Sequence, residues 1–307
     1  MAARQAVLLM AYGSPQTLDD VGTYFTHIRG GRTPPAEQIE ELRERYRRIG
    51  GTSPLRAITA RQAEALQQTL ARQGMGIPVY TAMKHAPPFI ADVVGVMAAE
   101  GIRDAVALAL APHYSRLSVA GYFSAAREAA AAHGIALRAV ESWHDHPGFI
   151  AALAARLRRA LARCASPEEA EVVFTAHSLP ERIRTWDDPY PVQLMRTCDL
   201  VAALATLPSW RLAYQSASHT GEPWLGPDLL AVLRALAAEG RRQVVVCPVG
   251  FVADHLEVLY DIDVEAREVA ASLGLRLERA PSLNAEPDFI AALADLITRA
   301  FREEGAR

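Results

Sequence analysis

Val7-Leu-Leu-Met-Ala-Tyr-Gly-Ser-Pro15 and Val172-Val-Phe-Thr-Ala-His-Ser-Leu-Pro180 align without a gap, and each is an apolar run that breaks into a Ser- and Pro-bearing turn. A short apolar run closed by such a turn reads as a buried strand. Similar runs predict strands at Ala6–Met10, Val79–Met83, Ala105–Leu110, Ala136–Val140, Glu171–Ala176, Leu212–Gln215, Val244–Cys247 and Leu275–Glu278. Helical patterns fill the gaps, as at Arg61–Arg72, Phe89–Glu100, Phe149–Arg163, Leu229–Glu239 and His255–Leu273. Regular alternation of buried strands with amphipathic helices gives an α/β chain whose parallel sheets are built from βαβ units.

The match between the two runs is not isolated. Leu110-Ala-Pro112 pairs with Val246-Cys-Pro248, and Pro147-Gly-Phe-Ile-Ala-Ala-Leu-Ala with Pro287-Asp-Phe-Ile-Ala-Ala-Leu-Ala, while Pro88-Phe-Ile-Ala echoes the latter two. The offsets of 165, 136 and 140 residues describe two similar halves with insertions. They are too long for a stacked-repeat solenoid. In doubly wound sheets ligands bind beyond the carboxyl ends of the strands. Tyr12 and His177 fall at equivalent strand ends, so two such domains facing each other would carry them on opposite sides of a cleft.

Bulk properties set the limits. A chain of 307 residues suits two domains, and with half its residues hydrophobic and 22% charged it has the composition of a soluble globular protein. A net charge of −3 gives no electrostatic case for nucleic acid. The arginines 43, 45, 47 and 48 are interleaved with glutamates and read as a helix face. Three cysteines at wide spacing, Cys164, Cys198 and Cys247, support neither a disulfide framework nor a thiolate metal site. No basic leader, apolar core and cleavage site open the chain, and no apolar run approaches the ~20 residues that span a bilayer. The expected compartment is the cytoplasm.

The stretch richest in chemistry runs from Cys247 to Glu268. On a helix starting near Asp254, Leu259, Ile262, Ala266, Val269, Ala270 and Leu273 form one apolar stripe, and Glu257, Asp261, Glu265 and Glu268 fall roughly opposite. Like charges at this spacing destabilise a helix by a few tenths of a kcal/mol per pair, with only Arg267 near in sequence to relieve them. A solvated face explains such a row; so does a path along which a cation passes, since divalent ions favour carboxylate oxygen with imidazole added for iron. The row begins in the first helical turn after a strand, where α/β enzymes place their sites. His177, at a strand end, is by itself an ordinary structural histidine. It gains weight because Glu257 is expected at the same sheet edge, and such a pair can ligate a metal or take up protons near neutral pH.

Arg29, Arg32 and Arg45 flank Gly30-Gly31 and precede Gly50-Gly51-Thr-Ser-Pro54. Arginines clamp carboxylates with paired hydrogen bonds, although taken alone these segments read as helix ends closed by glycine. They carry no nucleotide-binding glycine motif.

Taken together, Met10-Ala-Tyr-Gly-Ser-Pro15, Tyr24-Phe-Thr-His-Ile-Arg29, Arg45-Tyr46, Ile49-Gly-Gly-Thr-Ser-Pro-Leu55, Lys84-His85, Ala111-Pro-His-Tyr-Ser115, Ala176-His-Ser-Leu-Pro180, Gln215-Ser216, Pro223-Trp-Leu-Gly-Pro-Asp228 and Pro248-Val-Gly-Phe-Val-Ala-Asp-His-Leu-Glu-Val-Leu-Tyr-Asp261 resemble ferrochelatases over about residues 6 to 295. Tyr12 in its Ala-Tyr-Gly setting resembles the bacterial branch that uses coproporphyrin III. The resemblance implies two similar doubly wound, Rossmann-like domains facing a central cleft: residues 1–142 plus a C-terminal helix at about 286–307, and residues 143–285 carrying His177 and Glu257. It implies a lyase of haem biosynthesis that inserts Fe2+ into a porphyrin, with coproporphyrin III giving coproheme. His177 and Glu257 resemble the residues that bind iron and take pyrrole protons, and Asp261 and Glu265 an outer acidic route for the metal. Tyr12, Arg29, Arg45, Tyr46, Ser53 and Tyr122 match positions associated with the macrocycle and its propionates.

Porphyrin and Fe2+ are then substrates; no resident cofactor, iron–sulfur cluster, nucleic-acid partner or membrane-spanning segment is expected. A monomer is anticipated, in transient contact with other haem-pathway enzymes. Gly30 departs from relatives that carry a basic residue there. The nearest alternatives are a protoporphyrin IX ferrochelatase and a cobalt or nickel chelatase, the latter tending to paired histidines where this chain offers a single central His177. A haem or metal carrier would need no acidic route, and a periplasmic-type binding protein would need a leader.

Overall fold

The computed structural model describes residues 4–218 and 221–302. They form two compact units, one running to Trp143 and resuming at Asn284, the other spanning His144–Leu283.

The first unit is built on strands β1 (Arg4–Ala11), β2 (Val79–Met83), β3 (Ile102–Ala109) and β4 (Ala136–Val140), all parallel and ordered β2-β1-β3-β4. Residues Ala6 to Met10 have no exposed surface. That is the fate of a central parallel strand covered on both faces, and it is why this segment lacks an alternating pattern. Ala6, Leu8 and Met10 pack with Val94 and Met97 of α4 (Ile90–Ala99) and Phe123 and Ala126 of α5 (Ala120–His133). Val7 and Leu9 therefore point to the other face. There α3 (Leu55–Arg72) and α11 (Pro287–Arg302) pack on each other and on the sheet. Burying each of these leucines contributes about 1.5–3 kcal/mol.

Two further helices, α1 (Val21–Ile28) and α2 (Ala36–Arg48), follow β1 and contact each other. Each ends in a glycine pair with positive φ: Gly30 and Gly31 at 65° and 87°, Gly50 and Gly51 at 102° and 96°. The Gly31 and Gly51 amides donate back to the Thr26 and Tyr46 carbonyls. These glycines close helices, as their sequence setting indicates. At Gly30 a left-handed φ favours glycine over any residue with a side chain.

The second unit repeats the plan. Strands β5 (Glu171–His177), β6 (Arg211–Gln215), β7 (Gln243–Cys247) and β8 (Arg276–Arg279) are parallel in the order β6-β5-β7-β8, the same relative order as the first sheet. One face carries α8 (Leu229–Ala238) and the helical stretch after β7; α6 (Pro147–Leu161) and α7 (Tyr190–Ala205) pack together, with α6 on β7 and β8. The sequence matches now have positions: Leu110-Ala-Pro112 and Val246-Cys-Pro248 stand at the carboxyl ends of β3 and β7, the third strand in chain order of each sheet. The Pro147 and Pro287 segments are the helices after each fourth strand. Each of these helices joins the unit that its preceding strand does not belong to.

Strands and helices lie close to their expected bounds, with two differences. Helix α3 begins at Leu55, six residues before the apolar pattern at Arg61, because Pro54 marks its start. The helix expected over His255–Leu273 is three pieces: α9 (Leu256–Leu259), a π-helical segment (Asp261–Ala266) and α10 (Arg267–Ser272). The Tyr260 carbonyl accepts from both Val264 and Glu265 amides, 3.1 and 2.9 Å, which widens the turn. Val258, Ile262, Ala266 and Ala270 consequently form the buried stripe, and Leu259 leaves it. Of the C-terminal helix expected to residue 307, residues 303–307 lie outside the described residues. Among the described residues no helix is long and apolar enough to cross a membrane.

Candidate active site

His177 is the last residue of β5, where the strand leaves the core and its side chain keeps 34% of its surface. Its backbone is held tightly. The Tyr190 hydroxyl donates to the His177 carbonyl at 2.8 Å, and the Ser178 amide donates to the Gln215 carbonyl at 2.8 Å. The loop after β7 docks on the same strand end: the Gly250 amide donates to the Thr175 carbonyl, and a Cβ on Gly250 would lie 2.7 Å from that of Ala176. Only glycine allows that approach.

The imidazole Nδ1–H donates to the Ser178 carbonyl, which leaves Nε2 facing Glu257 Oε1 at 3.4 Å. Glu257 enters from the first turn of α9, directly after the loop from β7, and its other oxygen lies 3.7 Å from His255 Nε2. His255 is itself set by its Nδ1 against the Ala253 carbonyl at 2.9 Å. The carboxylate thus has an imidazole on each oxygen. His255 was missed as a site residue by sequence reasoning, which assigned a single central histidine; the signal was its spacing two residues before Glu257 on a chain that turns there.

Burial alone would push the His177 imidazole down, but Glu257, the Ser178 carbonyl and Asp261 outweigh it and raise its pKa to about 9. Burial would raise the Glu257 carboxyl, but His177 and His255 hold it well below the usual carboxylate range. The pair is therefore ionic at neutral pH.

The acidic row takes a different form from a straight helix edge. Asp261 is buried, accepting from the Ser216 hydroxyl and, at 3.3 Å, from Gln215 Nε2, which also donates to the Glu257 carbonyl at 2.7 Å. Ser216 adopts φ 60° to reach it. Glu265 is half-buried in the π segment and Glu268 is exposed. Arg267 pairs with Asp263, outside the row, and the stronger cation is Arg279 from β8. Among the described residues, no group of three or more His, Cys, Asp and Glu is arranged to hold a metal ion.

In the first unit, Tyr12 stands just past β1 with 39% of its surface exposed and its ring 4.6 Å from that of His85. His85 meets His27 through their Nδ1 atoms at 3.1 Å. Burial, Lys84 and His27 push His85 down to about 4. Lys84 donates to the Ser118 carbonyl and sits over the Tyr122 ring, 5.0 Å from its centre. A chain of contacts thus joins Tyr12 to Tyr122. The remaining residues are placed otherwise: Arg29 donates to Gln38 at 2.8 Å and Arg45 pairs with Glu41 at 2.8 Å, both on the surface. Tyr46 is 2% exposed, and the Ser53 hydroxyl accepts from the Leu55 amide at the start of α3.

Comparison with known proteins bears directly on this arrangement. The family model described as Ferrochelatase matches residues 4–301. The chain is 45% identical to the ferrochelatase of Herpetosiphon aurantiacus, over 97% of this chain and 99% of that one. It is also 45% identical to the coproporphyrin III ferrochelatase of Anoxybacillus flavithermus, over 97% of each. Among solved structures, SirB from Bacillus subtilis with Fe3+ shares the fold at a TM-score of 0.63 and 10% identity, covering 99% of this chain and 98% of that one. A match that spans the chain, on a fold shared with chelatases, decides the family: the chain belongs to the ferrochelatases, enzymes that insert iron into a porphyrin.

Proposed function

We propose that the chain inserts Fe2+ into coproporphyrin III to form coproheme, with His177 and Glu257 as the metal- and proton-handling pair. The observation that carries this is the 3.4 Å contact between His177 Nε2 and the Glu257 carboxylate at the carboxyl edge of the second sheet. Metal insertion joins Fe2+ to four pyrrole nitrogens and releases two N–H protons, so the site needs a ligand for a borderline cation and a base beside it. An anionic Glu257 attracts the cation. Once Fe2+ shares the carboxylate, His177 loses the charge that held its proton and releases it to solvent from its part-exposed edge, and its Nε2 becomes free to bind the metal or accept a pyrrole proton. Asp261 and Glu265 form the proposed acidic approach along the π segment, with Asp261 fixed by Gln215 and Ser216.

In the first unit, Tyr12 is proposed as a macrocycle contact and a ligand to iron, with Arg29, Arg45 and Ser53 as propionate anchors and the buried Tyr46 and Tyr122 supporting them. Arg45 would exchange Glu41 for a propionate, an exchange that costs little because exposed ion pairs contribute about 0–1 kcal/mol. Holding the macrocycle bent favours the transition state over the flat substrate. The name of the Anoxybacillus relative and the Tyr12 setting favour coproporphyrin III over protoporphyrin IX. Anaerobic Fe2+ insertion into each porphyrin, followed by absorbance, tests the assignment. Faster turnover of coproporphyrin III is expected; faster turnover of protoporphyrin IX overturns the substrate, and no insertion into either overturns the function.

A further inference from the structure

The segment that carries Glu257 has little to hold itself in place. Helix α9 is a single turn of four residues, far below the length at which a helix is stable alone, and it runs directly into the π turn. Its direction must come from ties outside it. One tie is Gln215 on the Glu257 carbonyl, and another is Val258 in the core.

A third comes from Arg279 at the end of edge strand β8. Its Nε and Nη2 reach the two carboxylate oxygens of Asp263 at 2.9 and 2.8 Å, a bidentate fork. Its Nη1 reaches Asp254 at 3.1 Å, and the Ser282 hydroxyl donates to the same Asp254 oxygen at 2.7 Å. The side chain is only 14% exposed, so these contacts are shielded from water far better than the surface pairs. Asp254 precedes His255 and Glu257, and Asp263 lies in the π segment beyond them. One guanidinium therefore ties both ends of the stretch that presents Glu257 to His177.

We propose that Arg279 is a positioning residue for metal insertion: by clamping Asp254 and Asp263 together it fixes where the Glu257 carboxylate stands. The inference rests on Glu257 acting as proposed above. Lysine at 279 would keep the charge but lose the fork, because an ammonium cannot hold a carboxylate through two parallel bonds while also reaching a second one.

The test is a mutant cycle on the intact protein, with single-turnover Fe2+ insertion as the rate and KM measured separately for Fe2+ and porphyrin. Arg279→Lys should lower kcat/KM for Fe2+ about tenfold, the lower end of what supporting residues around a metal site contribute, with porphyrin KM unchanged. In a Glu257→Gln background the same change should cause no further loss, because its effect runs through Glu257. Asp263→Asn, which weakens the clamp from the other side, reads the same cycle if Arg279→Lys does not accumulate as folded protein. Additive losses, or an equal rise in porphyrin KM, would overturn the clamp while leaving Glu257 in its role. A Glu257→Gln protein with undiminished insertion would overturn both.

Discussion

The carboxyl ends of β1 and β5 occupy the same place in two sheets of the same strand order, yet His85, which packs beside the first from the end of β2, and His177 at the second are held in opposite states. Beside Tyr12, the neighbours that shift His85 are burial, Lys84 and His27, and all three disfavour its proton. At His177, burial acts in the same direction but Glu257 and Asp261 reverse it. One backbone plan thus supplies two sheet edges, and the residues placed there decide the sign of the electrostatics. The proposed cation-handling chemistry falls to the edge that carries carboxylates. The other keeps an exposed phenol beside two imidazoles and a lysine.

The comparison breaks most sharply at Glu257. Replacing it with Gln should lower Fe2+ insertion by about 10²-fold or more, the usual worth of a positioned acid–base group. The same change should move the His177 environment toward that of His85. With Glu257 gone, burial is opposed only by the Ser178 carbonyl and Asp261, and the imidazole titrates below about 9, observable by NMR of the ring protons. An unchanged titration would show that the carboxylate is not what holds the proton.

Next in size are the backbone approaches that bring each edge together. Gly250→Ala should destabilise the fold by about 1–3 kcal/mol, since the added methyl meets Ala176 at 2.7 Å from its Cβ and 2.9 Å from its Cα. Because Ala176 precedes His177, insertion should fall as well. Gly13→Ala, at φ 95° and 3.0 Å from Ala86, should destabilise comparably while affecting insertion less. Chemical denaturation and steady-state rates on the two variants separate the contributions. Equal loss of activity in both would remove the functional distinction between the edges.

The smallest expected effect is on stability against pH, where the two edges should respond at opposite ends. The His177 pKa is raised on folding, so its contribution is full below pH 6.5 and lost as pH rises through about 9. That of His85 is depressed, so its contribution is full above pH 6.5 and lost as pH falls toward about 4. Melting temperatures should therefore decline on both sides, with His85→Gln flattening the acid side only. An acid limb unchanged by that variant would show that His85 is not held neutral by the fold.

Much of this was legible in the sequence because parallel strands are buried on both faces and read as unbroken apolar runs. Val7–Ala11 and Val172–Ala176 show this, and their alignment also placed Tyr12 and His177 at matching strand ends. The path of the helix after β7 was not legible. Nothing in Asp261–Ala266 signals a widened turn, and it is the turn that moved Leu259 out of the stripe and changed the acidic row. Arg279 was equally hidden, since its partners lie 16 and 25 residues away and meet it only when β8 joins the sheet. His255 lay in plain view beside Glu257, but without the turn there was no reason to aim it at the carboxylate.

The central claim is that insertion is carried out by the charged edge of the second unit. Single-turnover insertion of Fe2+ into coproporphyrin III under anaerobic conditions, compared between His177→Ala and Tyr12→Phe, tests it directly. The account predicts a loss of about 10²-fold or more for His177→Ala and a clearly smaller loss for Tyr12→Phe. A His177→Ala protein that inserts iron at the wild-type rate, or a larger loss for Tyr12→Phe, would contradict it.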